Sequence, residues 1–171
     1  MVARTLDAPD SAATAHLAGK YMTFRLAEED YGLAILKVRE IIGLMEITRV
    51  PCTRDFVRGV INLRGRVIPV VDLRRKFGLP ACETTDQTVI IVVQAEAPTG
   101  PVTMGVLVDQ VLEVRSIGAD HIEPTPPLGA APADTAFILG VGKTDARVVF
   151  LLDIDKVLSS GELDELAATA A

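Results

Sequence analysis

Short apolar runs that reverse at polar turns recur along the whole chain. In Lys20 to Leu26, Tyr21, Thr23 and Arg25 alternate with Met22, Phe24 and Leu26, the period-two pattern of a half-buried strand. Glu28-Glu29-Asp30 makes a turn, and Tyr31 to Ile35 is the return strand. From Ile35 to Val50 the apolar positions fit a helix at Ile35, Val38, Ile41, Ile42 and Met45, but the β-branched content and Gly43 favour a strand. That strand puts Val38, Glu40 and Ile42 on one face. Pro51 stops it, and Thr53 to Phe56 is a turn or a single helical turn with Thr53 as N-cap.

The clearest hairpin follows. Phe56-Val57-Arg58-Gly59-Val60-Ile61 and Arg66-Val67-Ile68-Pro69-Val70-Val71-Asp72 flank a turn around Asn62-Leu63-Arg64-Gly65, where Gly65 can adopt the positive φ of a tight reversal. Val60, Ile68 and Val70 are the expected core positions. Leu73 to Phe77 is a brief helix, and Cys82 to Asp86 a polar connector. Thr88 to Val93 is apolar throughout, as in a strand buried on both faces. Val102 to Val108 returns after the Pro98-Thr99-Gly100-Pro101 turn, and Val111 to Ile117 continues the sheet. His121 to Ala136, with four of the ten prolines, is a long surface loop. Phe137 to Val141 and Arg147 to Leu152 are the last strands, and Asp153 to Leu158 is helical. Ser159, with Glu162 three residues on, is a capping box opening an acidic helix to about Ala168.

The pattern also repeats. Gly32 to Ile41 parallels Gly105 to Val114, and the same register sets Pro51 against Pro124. Gly59-Val60 and Arg66 to Leu73 parallel Gly140-Val141 and Arg147 to Ile154. Each half holds about five short strands, too few for a flat sheet that buries two faces but enough for a small closed barrel. The expected fold is all-β: two pseudo-repeated five-stranded barrels with short helices, one of them at the C-terminus. Residues 1–18 form a flexible tail and 19–159 the domain. The first barrel spans about 20–80 and the second about 87–152, with the chain ends packing back and 160–171 a short C-terminal helix or tail.

Composition narrows the function classes. No apolar run is long enough to span a bilayer, and the first nineteen residues lack the apolar core of a secretory signal. The protein is expected to be cytoplasmic. Cys52 and Cys82 stand alone, so neither a disulfide framework nor a metal site is expected, and no cofactor either. The net charge of −6 is unevenly spread, because eight basic residues between Arg49 and Lys76 face only Asp55 and Asp72. A basic patch on an acidic chain suits a polar partner surface better than bulk nucleic-acid binding.

Catalytic patterns fail. Gly142-Lys143-Thr144 lacks the glycine of a phosphate-binding loop, since Phe137 stands there, and His121-Ile122-Glu123 has no following PCxxC. No Ser-His-Asp set is available, and Asp72 and Asp153, which end matching strands, suit capping of the next turn. What remains is an arginine tip, with Glu40 preceding it in the chain. Arginine suits binding hot spots because its fork pairs carboxylates and its stem covers apolar surface. Arg66, matched by Arg147, is expected to serve the barrel. Arg64, with Thr144 opposite it, belongs to one half only.

Tyr31 to Ile41 and Phe56 to Arg74, with their RGVxNLRG…PVVDLR block, closely resemble the CheW family of bacterial chemotaxis coupling proteins, as do Gly105 to Val111 and the strand containing Gly140. The likeness runs from about Lys20 to Ser159. It implies two SH3-like barrels and a non-catalytic adaptor that joins the histidine kinase CheA, through its regulatory domain, to the cytoplasmic tips of methyl-accepting chemoreceptors. It also implies recruitment to receptor arrays without membrane insertion, and contacts with other CheW-like domains that close into rings. Carried over by motif, Arg64 leads the partner-binding set, with Val38, Glu40, Gly59, Asn62 and Gly65 around it and Arg58 nearby. A coupling protein of a non-flagellar array, or a small-barrel nucleic-acid binder, is the alternative.

Overall fold

The computed structural model of the protein describes residues 16–80, 83–124, 137–144 and 147–170. The strands are β1 (Gly19–Leu26), β2 (Glu29–Ala34), β3 (Val38–Gly43), β4 (Val57–Leu63), β5 (Arg66–Asp72), β6 (Val89–Ala97), β7 (Gly100–Val108), β8 (Gln110–Ile117), β9 (Ile122–Glu123), β10 (Ile138–Thr144) and β11 (Arg147–Leu152). The helices are α1 (Leu73–Lys76), α2 (Ile154–Val157) and α3 (Ser160–Ala170). Two curled sheets result, in keeping with the expected pair of SH3-like barrels. One runs β8-β1-β2-β11-β10-β9 and the other β3-β6-β7-β5-β4.

The two sheets divide the chain differently from the expected barrels at about 20–80 and 87–152. The first hairpin of each half, β1–β2 or β6–β7, joins the other half's strands. Val111 to Ile117 therefore does not continue the sheet of β7; as β8 it pairs with β1. The repeat itself is exact in register. Gly32 pairs with Leu151 where β2 runs parallel to β11, and Gly105 pairs with Val70 where β7 runs parallel to β5.

The exchange follows from connector length. In the five-stranded sheet β3 is antiparallel to β6, and β6 to β7, so β3 runs parallel to β7 with β6 between them. A half that kept its own hairpin would need β3 in that same relation to β2. The chain would then have to return along the whole of β2, which takes a dozen or more residues. Only Ile35–Lys37 lies between β2 and β3, and only Asp109 between β7 and β8. The chain must run straight on into the other sheet.

Burial matches this layout. β6 is apolar throughout because Ile90 and Val92 fill the inside of their own sheet, with Ile61, Ile68 and Val70, while Ile91, Val93 and Ala95 face the core shared with β1 and β2. In β4 the buried side chain is Ile61, across from Ile68, and Val60 is only half-buried. The two-residue turn after Leu63 sets this register, pairing Ile61 with Ile68 and Val60 with Pro69, so Ile61 and not Val60 shares the face of Ile68 and Val70. Leu17, inside the expected tail, is buried, and its carbonyl accepts the Tyr21 hydroxyl at 2.5 Å. Ile35–Lys37 is a 3-10 turn, Thr53–Phe56 forms turns without a helix, and Ala119–Glu123 is a 3-10 turn plus β9 rather than loop. Cys82 and residues 125–136 lie outside the described residues.

The expected caps at Asp72, Asp153 and Ser159 are present, whereas Thr53 caps no helix and its hydroxyl donates to the Val50 carbonyl at 3.0 Å. The Asp72 carboxylate accepts from the Arg74 amide and that of Asp153 from the Asp155 amide, each at 3.0 Å. Ser159 and Glu162 form the reciprocal box at 3.2 and 2.7 Å. Leu163 and Leu166 then anchor α3 in the shared core, so this helix is part of the domain.

Arg147 serves its sheet as Arg66 was expected to. It donates to the buried Asp30 at 2.9 and 3.2 Å and to the Glu28 carbonyl at 2.7 Å, tying β11 to β2 across the exchange. Arg25 donates to the same carboxylate at 3.2 Å. Arg66 makes no such ion pair among the described residues, because the repeat places Thr103 where Asp30 would stand. Asp30→Ala is therefore expected to cost about 2 kcal/mol, the value of charge-assisted bonds to a buried carboxylate, and Thr103→Ala clearly less. Thermal melts of the two variants check this; equal shifts would remove the assigned role.

Candidate functional site

The β4–β5 hairpin closes in two residues. Leu63 pairs with Arg66, leaving Arg64 and Gly65 at φ of +53° and +86°. Two successive left-handed residues make a type I′ turn, whose twist matches the flanking strands. The Asn62 side-chain oxygen accepts from the Gly65 amide at 2.8 Å and holds this turn. Arg64 is thus a non-glycine residue kept in a left-handed conformation, projecting its side chain 70% exposed.

It is not free in solvent. Both guanidinium arms reach Glu40, Nη1 to Oε2 and Nη2 to Oε1, each at 2.8 Å. Glu40 lies on β3 and Arg64 follows β4, the two ends of the five-stranded order. The pair therefore clips the open seam of the curled sheet. Leu63, Ile42, Met45 and Ile47 pack against the apolar filling inside it. The Arg64 hydrogen bonds hold the Glu40 carboxyl below its usual range, and the same bonds raise the Arg64 guanidinium. Both groups stay charged at neutral pH.

The candidate residues separate into several places. Arg64, Glu40, Asn62 and Gly65 come together at the hairpin tip. Val38 does not share the face of Glu40 and Ile42 as expected: the register shift between Val38 and Glu40 sets Val38 across from Val93, against the shared core, and Glu40 across from Val92, on the face of Ile42. Arg58 sits at the hairpin base, donating to Asp72 at 3.3 Å. Gly59 is buried beneath the Thr48 backbone and offers a partner no side chain. The hairpin registers also correct the alignment. Thr144 pairs with Arg147 as Leu63 pairs with Arg66, so Asp145, outside the described residues, takes the place of Arg64. No basic counterpart of Arg64 results, as expected.

Much of the basic run between Arg49 and Lys76 is matched by acids from distant segments. Arg54 pairs with Glu165, Arg74 with Asp109 and Lys76 with Glu162. Sequence reading counted this run as one patch and so missed how much of it is internal. It also passed over the exposed apolar residues. Ile41, Leu44 and Val67 flank the Glu40–Arg64 clip in sequence, and Val114 and Val148 are exposed on the other sheet. The repeat matches Ile41 with Val114, Val67 with Val148 and Glu40 with Glu113. Strand alternation against that repeat was the signal that would have found them. Leu36, 88% exposed, lies in the connector between the sheets.

A CheW-like domain model matches residues 20–162. A chemotaxis protein CheW from Klebsiella aerogenes is 40% identical over 144 residues, 84% of each chain. Another from Thermotoga maritima is 35% identical over 137 residues, 80% of this chain and 85% of its own. The crystal structure of the scaffolding protein TtCheW from Thermoanaerobacter tengcongensis superposes with a TM-score of 0.73 at 37% identity, covering 85% of this chain and 97% of that one.

Proposed function

The chain belongs to the CheW-like domain family, and from that membership we propose that it is a chemotaxis scaffold, a binding protein rather than an enzyme, which couples chemoreceptor tips to the histidine kinase CheA. The observation that carries the reading is a pair of pseudo-equivalent but chemically different faces. One presents Ile41 and Val67 beside the Glu40–Arg64 clip; the other presents Val114 and Val148 beside Glu113. Exposed apolar residues next to a fixed charge pair suit a specific protein contact. Two related faces on opposite sheets suit a protein that touches two CheW-like neighbours in sequence and so extends a ring. Arg64, Glu40, Asn62 and Gly65 are the partner-facing set in this reading, with Arg64 its centre.

Size-exclusion co-elution with a CheA regulatory-domain fragment and a receptor-tip fragment tests it. The wild-type chain should form a complex with each. Arg64→Ala should weaken at least one complex about tenfold or more, as loss of a hot-spot arginine does. Its melting temperature should move little, since exposed ion pairs contribute little to stability. Undiminished capture of both fragments by Arg64→Ala would overturn the assignment of the tip.

A further inference from the structure

We propose that the groove at the base of the β4–β5 hairpin is a second docking site, one that takes a short acidic segment of a partner protein. The β3–β4 connection folds over this end of the hairpin and encloses a cavity of about 690 Å³. Four arginines line it, Arg49, Arg54, Arg58 and Arg75, against the single lining carboxylate of Asp55. Their positive charge is only partly met. Arg58 and Arg75 share one carboxylate, that of Asp72, at 3.3 and 3.8 Å, and that carboxylate also caps α1. Arg75 spends a further donor on the Asp55 carbonyl at 3.1 Å. Each guanidinium carries five donors, so unused N–H groups remain on both. Arg49 is exposed, with no side-chain partner among the described residues.

The chain itself shows what fits this rim. Arg54 holds Glu165 of the acidic helix α3 at 2.8 and 3.1 Å, a fork closed on a helix carboxylate. A further acidic segment would repeat that contact on Arg49, Arg58 and Arg75. Nucleic acid fits less well. Glu162 and Glu165 of α3 flank the Arg54 side of the groove, on a protein of net charge −6, and a long polyanion would run across them. A short segment avoids them. This site is separate from the hairpin tip, since six residues of extended strand between Val57 and Leu63 span about 20 Å.

The test uses the full chain and a fluorescein-labelled nonapeptide of alternating Glu and Asp, followed by anisotropy and by amide chemical-shift mapping. The peptide should bind, with shifts centred on residues 47–58 and 75. Arg49→Glu with Arg75→Gln should weaken it about tenfold or more, and Arg64→Ala should leave it unchanged. If the double variant loses its native circular dichroism, Arg49→Glu alone carries the test. Shifts spread over the surface, equal binding of a lysine nonapeptide, or tighter binding of a thymidine oligonucleotide would each overturn the proposal.

Discussion

Residues 16–84 and 85–170, produced as separate fragments, are each expected to be unfolded, and to recover native β-sheet only when mixed. The reason is the exchange of hairpins. A fragment holding β1 to β5 has no β6–β7 to fill the centre of β3-β6-β7-β5-β4, and its own β1–β2 lacks β8 and β11 on either side. Replacing the missing hairpin with its own is barred by the three-residue connector Ile35–Lys37, which cannot carry the chain back along β2. The second fragment is barred more strictly, since a single residue, Asp109, separates β7 from β8. The shared core would also be lost. Phe24, Leu26 and Leu33 pack there with Ile91, Met104 and Val106 across the cut, and all six are fully buried. Far-ultraviolet circular dichroism of each fragment and of the mixture checks this. Cooperative unfolding of either fragment alone would show that a half can close by itself.

Gly59→Ala is expected to lower stability by about 3 kcal/mol, roughly 10 °C in Tm for a chain of this size. A Cβ there would lie 2.1 Å from the Thr48 carbonyl oxygen and 2.7 Å from its carbon, both backbone atoms that cannot rotate away. Gly59 also has φ of +143°, in the region that favours glycine. Thr48 and Val60 exchange two backbone hydrogen bonds of 2.8 Å at this point, so relief by moving the Thr48 strand would break them. Gly140 is the matching residue, and its added Cβ would meet the Glu123 carbonyl at 2.9 Å without a positive φ. Gly140→Ala should therefore cost less. Gly65→Ala meets nothing within 4 Å and carries only its φ of +86°, about 1 kcal/mol. Thermal melts of the three variants should rank Gly59 first; a Gly59→Ala melt like wild type would mean the close approach is not rigid.

The strands were largely legible, because each is a local pattern. Alternation located β1 and β4, a continuous apolar run located β6, and the Asn62-Leu63-Arg64-Gly65 turn closes where Gly65 allows it. Caps at Asp72, Asp153 and Ser159 were legible too, since a capping carboxylate or hydroxyl acts within three residues of its own position. Parity inside β4 was not. A turn of two residues pairs Ile61 with Ile68 and so puts Ile61 rather than Val60 in the core, and that turn length is settled only by the pairing of β4 with β5. The site was half legible. Arg64 stood out as a residue of one half only, but its bond to Glu40 joins residues 24 positions apart across a seam that exists only once the sheet curls.

The sequence by itself determined the repeat, most of the strands and the family, because periodicity, turn chemistry and motif spacing are properties of neighbouring residues. Tertiary structure decided which half's hairpin fills which sheet, where the basic residues find their acids, and which apolar residues remain outside. Those depend on what a connector of one or three residues can reach in space. The length of Ile35–Lys37 was written in the chain, but its consequence appears only when β3 is seen to run parallel to β7 with β6 between them.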